Sequence, residues 1–145
     1  MTKSNRRVIG IDNAHRMATL ALQKGLKNVI QANACFLPFR ARYFDVVIFP
    51  ESIGYLDMVK ALREARRVLK TNGRAIITAY PAHMHSDDFY NKSSLAQITA
   101  RLQRVGFRVL DVKMLKVNTR NIREVEVEEH SNLLYIAARK TSRRM

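Results

Sequence analysis

The chain has 145 residues, of which 47% are hydrophobic and 26% are charged, as expected for a folded domain with a sizeable core. No apolar run approaches the roughly 20 residues that a membrane-spanning helix needs, and the N-terminus does not resemble a signal peptide. The single cysteine, Cys35, excludes a disulfide framework and a thiolate metal site, and we expect it to pack beside a sheet. We therefore expect one cytoplasmic domain over residues 1–145, with a basic tail at about 139–145 and no membrane association.

The charge is strongly positive, with 26 lysines and arginines against 12 acidic residues and a net charge of +14. An excess of this size raises affinity for phosphate-rich partners, because each neutralised phosphate releases counterions. The cations are nevertheless dispersed along the chain, as on an ordinary solvated surface. Nucleic acid is therefore a candidate partner, and a basic surface without a specific site is the alternative.

The first part of the chain has a strand, helix and strand pattern. Residues 7–12 predict a short buried strand, and apolar residues at helical spacing follow over residues 14–22. Asn13 is the predicted N-cap of this helix, and Gly25 closes it. Residues 27–31 predict the second strand.

The middle of the chain repeats the pattern after a loop at residues 32–42. Residues 46–49 form an apolar run that is too short for a helix and rich in β-branched residues, which predicts a central parallel strand with both faces covered. Residues 58–70 have apolar side chains at helical spacing and a basic outer face, and Asn72-Gly73 is expected to end this helix. Residues 75–79 predict the next strand.

The rest of the chain predicts one helix and two strands. Ser93 or Ser94 caps the helix, and Gly106 ends it. Residues 107–117 and 132–138 follow as strands with a charged connection between them. Because no helix separates these strands, we expect an antiparallel hairpin at one edge of the sheet.

Three motifs follow one another in the middle of the chain: residues 37–39 (LPF), residues 44–47 (FDVV) and residues 64–73 (EARRVLKTNG). The ordered set resembles class I S-adenosylmethionine-dependent methyltransferases, whose motifs are LPF, FDVV and ExxRVLKPGG. The resemblance extends at lower specificity from about Val8 to about Lys140. It implies an α/β fold with a Rossmann-like, mostly parallel sheet, a C-terminal antiparallel hairpin and S-adenosylmethionine as cofactor.

One part of the family pattern is missing from the sequence. A glycine-rich turn normally precedes the ribose-binding acid by about 20 positions. Only 11 residues precede Asp12, and the five glycines are isolated from one another. The resemblance therefore implies a fold truncated at the N-terminus, without the first strand and the glycine loop that hold the methionine part of the cofactor. In the family's sheet the missing strand lies between the strand ending at Asp12 and the strand at residues 46–49. Either these two strands pair directly, or a second copy or a separate chain fills the gap between them, or two exposed edges remain.

The resemblance implies a cofactor site at the carboxyl ends of the first two strands. Asp12, with Asn13 beside it, is in the position of the ribose-binding acid, and Asn33 with Ala34 is in the position of the adenine-contacting Asp-Ala. Stabilisation of Asp12 by the helix dipole alone is the alternative for that carboxylate. For Asn33 the alternative interpretation is an ordinary turn residue with no contact to adenine.

Phe49, Pro50 and Glu51 follow the third strand and are expected to face cofactor and substrate, because ligands of open α/β sheets bind at these ends. They do not match the Asn-Pro-Pro-Tyr or Asp-Pro-Pro-Tyr motif of methyltransferases that act on amino groups. The methyl acceptor and the catalytic residue therefore stay open. Glu64 is expected to be an ion-pair partner rather than a catalytic group.

Four further residues are candidates for the substrate side of the site: Tyr55, Tyr80, His83 and His85. Two histidines in one loop with nearby aspartates are a weak metal-binding pattern, and a solvated loop explains them more simply. Tyrosines at protein surfaces are also common. The sequence therefore predicts no metal site.

Two functions follow from these observations. The first is an S-adenosylmethionine-dependent methyltransferase that either works with a separate chain supplying the glycine loop or is a degenerate remnant, with independent activity in doubt. The alternative is a non-catalytic basic module that binds RNA or an acidic protein.

Overall fold

A computed structural model describes residues 7–79, 94–116 and 132–142. In these ranges helices connect several of the strands, as in an α/β fold. The elements are β1 (Gly10–Asp12), α1 (His15–Gln23), β2 (Val29–Gln31), β3 (Phe44–Pro50), α2 (Met58–Val68), β4 (Leu69–Ala79), α3 (Leu95–Val105), β5 (Phe107–Lys116) and β6 (Asn132–Lys140). Arg139 and Lys140, assigned above to a basic tail, are the last residues of β6. None of the helices in these ranges combines the length and the apolarity needed to cross a lipid bilayer.

The described strands form two separate sheets. β1 and β2 make a parallel pair, while β3, β4, β6 and β5 make a four-stranded sheet in that order. β3 and β4 are parallel, and β6 is antiparallel to both of its neighbours. The mixed, Rossmann-like sheet and the terminal hairpin are therefore as predicted. Direct pairing of β1 with β3, one of three alternatives for the gap, does not occur in this part of the chain.

The core lies on one face of the four-stranded sheet, beneath α2 and α3. Alternate residues of β4 and β6 point into it, and each helix contributes its apolar stripe. The fully or almost fully buried side chains include Ala61, Leu62, Ala65, Val68, Leu69, Ala75, Ile77, Ala79, Ile98, Leu102, Phe107, Leu134, Ile136 and Ala138. The two helices predicted from these spacings are thereby anchored to the sheet.

Helix α3 begins and ends as the sequence predicted. The Ser94 side chain accepts a hydrogen bond from the Gln97 amide, and the Gln97 side chain accepts one from the Ser94 amide, so a complete capping box starts the helix. Gly106 ends it at φ +104°, in the left-handed region that favours glycine.

Loss of the Ser94 cap should have a measurable effect on stability. Ser94→Ala is expected to lower the free energy of unfolding by about 1 kcal/mol, because the Gln97 amide loses its acceptor. Ser94→Asp, which retains an acceptor, should stay near the wild-type value. Urea denaturation of the three proteins measures both changes, and equal losses in the two variants would contradict the capping role.

Strand β3 differs from the prediction, because it is not covered on both faces. Val46 and Ile48 are 43% and 58% exposed, whereas Phe49 is 5% exposed. On one side β3 pairs with β4, and on the other side no described strand lies against it. An apolar run predicts that a strand needs cover, but it does not tell which segment supplies that cover.

The end of α2 also differs from the prediction. The helix ends at Val68, and β4 already begins at Leu69. Within that strand Asn72 takes the left-handed conformation, at φ +62°, and Gly73 does not. A Cβ atom on Gly73 would lie 2.8 Å from the Lys70 carbonyl oxygen. Glycine is therefore required by close packing of the backbone inside β4 and not by a helix terminus.

Candidate cofactor site

The carboxylate of Asp12 is fixed at the end of β1. Its Oδ1 atom accepts a hydrogen bond of 2.8 Å from the amide of Ala14, which is the N-cap residue of α1. Its carbonyl oxygen accepts one of 3.0 Å from Ala32, just after β2. Among the described residues no hydrogen bond or ion pair engages Oδ2. Asp12 therefore supports the start of the helix through one carboxylate oxygen, and the other oxygen has no hydrogen-bond partner among the described residues.

Asn13 is not the N-cap that the sequence predicted. The N-cap is Ala14, whose side chain cannot accept a hydrogen bond, and the nearby Asp12 carboxylate binds the Ala14 amide instead. Asn13 is exposed, and its carbonyl oxygen accepts a 3.2 Å hydrogen bond from the Gln31 side chain. Its contribution is to tie the start of α1 to β2.

Asn33 forms a tight turn immediately after β2. Its Oδ1 atom accepts a 2.8 Å hydrogen bond from the Cys35 amide, and its carbonyl oxygen accepts one of 2.9 Å from Phe36. The turn role considered above is thus present in the structure, and the side-chain oxygen of Asn33 takes part in it. Ala34 and Cys35 are partly buried against the core, as expected for the cysteine.

Phe49, Pro50 and Glu51, at the end of β3, have different surroundings. The Phe49 side chain belongs to the core cluster under the helices. Pro50 is exposed, and Glu51 has φ +56°, a left-handed conformation that non-glycine residues rarely adopt. The Glu51 amide is held by the carbonyl and hydroxyl oxygens of Thr78, at 2.9 and 3.2 Å. Strained backbone of this kind is concentrated at functional sites.

The substrate-side candidates are only partly described. Tyr55 is 51% exposed and lies in a short 3-10 turn, Ile53–Tyr55, between β3 and α2. Tyr80, His83 and His85 lie outside the described residues. In the described ranges no group of three or more histidine, cysteine or acidic side chains could hold a metal ion.

A hydrogen-bond network that sequence reasoning missed joins the LPF loop to α2. Arg67 donates from Nη1 to the Phe39 carbonyl at 2.7 Å and from Nη2 to the Leu37 carbonyl at 2.9 Å. Glu64 accepts from Arg67 Nε at 2.8 Å and from the Leu37 amide at 2.7 Å. The expected ion-pair role of Glu64 is confirmed. The signal was available as Glu and Arg three positions apart on one helix, after an LPF loop.

This network shifts the pKa of both charged partners. The hydrogen bond from Arg67 holds the pKa of Glu64 below its ordinary value, and the Leu37 amide adds to that effect. The same hydrogen bond raises the pKa of Arg67. The ion pair therefore keeps its charge well into the acid range and fixes the loop that leads from Asn33 to β3.

The Glu64 carboxylate should make stability depend on pH. In the unfolded chain its pKa returns to the ordinary 4.5, so below that value the unfolded state binds more protons than the folded state. The stabilisation that the Glu64 carboxylate provides is complete above pH 4.5, and it is lost as the pH falls through the lower pKa of the folded state. Between about pH 6 and pH 3, wild type should lose about 1 kcal/mol more stability than Glu64→Gln.

Urea denaturation at a series of pH values measures this difference. Asp45→Asn is the matched control, because the Asp45 side chain is 83% exposed and its contact with Lys70 is screened by solvent. The control should keep the wild-type dependence. An unchanged pH dependence in Glu64→Gln would mean that the network does not stabilise the folded state.

An open cavity of about 330 Å³ lies between the start of α2 and α3, lined by Leu56, Asp57, Met58, Val59 and Arg101. None of the predicted cofactor residues lines it. The structure brings Asp12 next to the turn of Asn33 through the pairing of β1 with β2. No described hydrogen bond connects either residue with Glu51, which lies at the end of a different sheet.

Comparison with known proteins identifies relatives of this arrangement. Residues 1–77 match a family model described as a methyltransferase domain. An uncharacterized protein of Methanocaldococcus jannaschii is 35% identical over 129 residues, which cover 83% of this chain and 51% of that protein. The uncharacterized methyltransferase YdaC of Bacillus subtilis is 28% identical over 113 residues, covering 74% of this chain and 62% of YdaC. The chain thus spans between half and two thirds of the length of these relatives.

Solved structures share the fold. The methyltransferase in the complex with the Haloferax volcanii Trm112 methyltransferase activator superposes with a TM-score of 0.75 at 18% identity, covering 93% of this chain and 72% of that chain. At this identity the likeness concerns the fold alone. The family model, in contrast, matches 77 of the 145 residues. The chain belongs to the class I S-adenosylmethionine-dependent methyltransferase family.

Proposed function

We propose that the chain acts in S-adenosylmethionine-dependent methyl transfer and supplies the adenosine half of the cofactor site. The observation that carries the proposal is the Asp12 carboxylate, which the Ala14 amide fixes while one oxygen stays open at the end of β1. A carboxylate in this position accepts hydrogen bonds from ribose hydroxyls. In the proposal the adenine lies against the turn of Asn33 and Ala34. A cytoplasmic location belongs to the proposal, because the lone cysteine needs no oxidising compartment.

Methyl transfer needs positioning more than it needs acid–base groups. When bound, S-adenosylmethionine supplies an electrophilic methyl group on a sulfonium centre. Asp12 would orient the ribose, and Glu51 would lie at the transfer edge, where its backbone is fixed by Thr78. Holding the acceptor in line with the methyl group accounts for a large part of such a rate enhancement. We assign no catalytic base and no methyl acceptor.

In the proposal, further polypeptide lies between the edges of β1 and β3 in space. It comes from a second copy, a separate chain or a longer form of this protein. Two observations support it. β1 and β3 each pair with one described strand, and β3 exposes Val46 and Ile48 beside its open edge. The chain also spans only 51% of the Methanocaldococcus jannaschii relative. One structural neighbour was solved in complex with an activator protein. A strand inserted there would satisfy both edges and bring the groups that bind the methionine part.

The role of Asp12 is tested by titrating S-adenosylhomocysteine into the chain and following backbone amides by NMR. Asp12→Ala should weaken binding by about tenfold, because the ribose loses a charged acceptor. Asp45→Ala is the matched control, since it removes an aspartate at the opposite end of the strands, and it should leave affinity unchanged. Shifts confined to the amides around Asp12 and Asn33 are expected. Equal affinity in wild type and Asp12→Ala would overturn the assignment, and so would no binding at about 10 mM ligand.

A further inference from the structure

Three arginines lie side by side on neighbouring strands of the four-stranded sheet. Arg74 of β4 is in register with Arg139 of β6, and Arg139 is in register with Arg108 of β5. Residues directly opposite each other point to the same face, and adjacent strands lie about 4.8 Å apart. The three side chains therefore leave the sheet from one line about 10 Å long. We call this set the arginine row.

The arginine row lies on the face of the sheet that α2 and α3 do not cover. The neighbouring residues Ala75 and Ala138 are fully buried in the core, so Arg74 and Arg139 point to the opposite side. Arg74 and Arg108 are exposed. A ligand as long as the row can therefore reach it from solvent.

Like charges opposite each other on paired strands destabilise a sheet. In residues 7–79, 94–116 and 132–142, each ion pair between side chains involves other cations, namely Lys60, Arg67, Lys70 and Lys113. No described carboxylate thus offsets the charge of the row. Repulsion among the three arginines destabilises the folded state, and a bound anion would reduce that repulsion.

Two further cations lie near the end of β6, on the side of the sheet that α2 covers. Lys140, the last residue of β6, donates from Nζ to the Leu69 carbonyl at 2.8 Å. Burial lowers the pKa of Lys140, and the nearby charges of Arg66 and Arg42 lower it further. Arg66 in turn donates to the Thr141 carbonyl, beside the end of β6. Arg66 and Lys140 therefore lie on the helix-covered side of the sheet, near the end of β6, and do not belong to the arginine row.

We propose that the arginine row binds the phosphate backbone of single-stranded nucleic acid. Arginine presents a planar fork that binds phosphate oxygens in pairs, and the row offers three such forks in line. A chain of regularly spaced phosphates neutralises them together, and counterion release adds to the affinity. The net charge of +14 attracts a polyanion over a longer distance than it would attract an uncharged partner.

This site is separate from the proposed cofactor site. Arg74 lies near the start of the parallel pairing of β3 with β4, whereas Pro50 and Thr78 are its last pair. The five residue steps from Arg74 to Ala79 correspond to about 17 Å along the strand. Nucleic-acid binding should therefore be insensitive to Asp12→Ala, which distinguishes a failure of this proposal from a failure of the cofactor assignment.

The test measures the affinity for fluorescent oligouridylate by anisotropy over a range of NaCl concentrations. Replacing all three arginines of the row by glutamine should weaken binding by about tenfold or more at about 100 mM NaCl. The slope of log K against log salt should become shallower by about 2, from about 0.7 for each of three lost phosphate contacts. The matched control replaces Lys24, Arg63 and Arg104, three exposed cations outside the row, and should weaken binding by about threefold or less.

Equal losses in the two triple variants would overturn the proposal, because binding would then follow net charge alone. Wild type that binds vesicles of anionic lipid but not oligouridylate would overturn it too. Thermal melting checks that the variants fold, and the row variant should melt at or above the wild-type temperature because repulsion is removed. Crosslinking of wild type to 4-thiouridine RNA needs no variant: crosslinks to peptides of β4, β5 and β6 support the site, and crosslinks confined to other peptides contradict it.

Discussion

Replacing Leu62 by alanine is expected to lower the free energy of unfolding by about 3 kcal/mol. Leu62 is fully buried on the inner face of α2, between the sheet and α3, so its truncation removes apolar contacts and leaves a cavity in the centre of the core. For a domain whose total stability is about 5–15 kcal/mol, this is a large fraction. Urea denaturation followed by circular dichroism measures the change.

Leu20→Ala is the matched control for this substitution. Leu20 is also a helical leucine, but it lies on α1 and is 39% exposed. The same change of side chain should cost about 1 kcal/mol or less there. Similar losses at the two positions would mean that the core is not centred on the contact of α2 with the sheet.

Gly106→Ala should be the most damaging of the glycine substitutions at positive φ. Gly106 has φ +104°, and a Cβ atom there would lie 2.6 Å from Nε of Arg66. That guanidinium is held by the Thr141 carbonyl, and its Nε atom is buried without a hydrogen-bond partner in the described structure. We expect a loss of about 3 kcal/mol, from backbone strain of about 1 kcal/mol and displacement of a packed side chain.

Gly25→Ala separates these two contributions. Gly25 has a similar φ of +92°, but no atom lies within 4 Å of the position that a Cβ would occupy. It should therefore lose only the strain of about 1 kcal/mol. If Gly25→Ala and Gly106→Ala were equally destabilised, the contact with Arg66 would have no energetic weight.

The elements that the sequence predicted well are those whose signals are local. The cap of α3 at Ser94 and its end at Gly106 depend on residues within one turn, and both are present. The hairpin of β5 with β6 was predicted because no helical pattern separates the two strands. In β6 every second residue is buried in the core, namely Leu134, Ile136 and Ala138.

The features that the sequence did not predict depend on partners distant in the chain. The exposure of Val46 and Ile48 depends on which strand and which layer lie beside β3, and their apolar character carries no information about that. The end of α2 at Val68 was missed because β4 extends back to Leu69, and Asn72-Gly73 has the composition of a helix terminus although it lies within a strand. Tertiary pairing decided both cases.

The candidate site shows the same division. The placement of Asp12 at a strand end and the turn at Asn33 follow from local patterns, and the structure has both. The Glu64 and Arg67 network, which holds the loop leading to β3, joins residues 27 to 30 positions apart. The family motifs include residues 37–39 and residues 64–73. The hydrogen bonds between these two segments give a physical reason for both motifs.

The central claim of the proposal is that the described part of this chain binds the adenosine half of the cofactor and that additional polypeptide supplies the groups for the methionine half. Calorimetry that compares adenosine with S-adenosylhomocysteine on the same chain tests it most directly. We expect the two dissociation constants to agree within about threefold, because the amino-acid tail of the larger ligand would meet no additional partner. Affinity for S-adenosylhomocysteine about a hundredfold higher would mean that the chain already holds the methionine part, and it would contradict the proposed gap between β1 and β3.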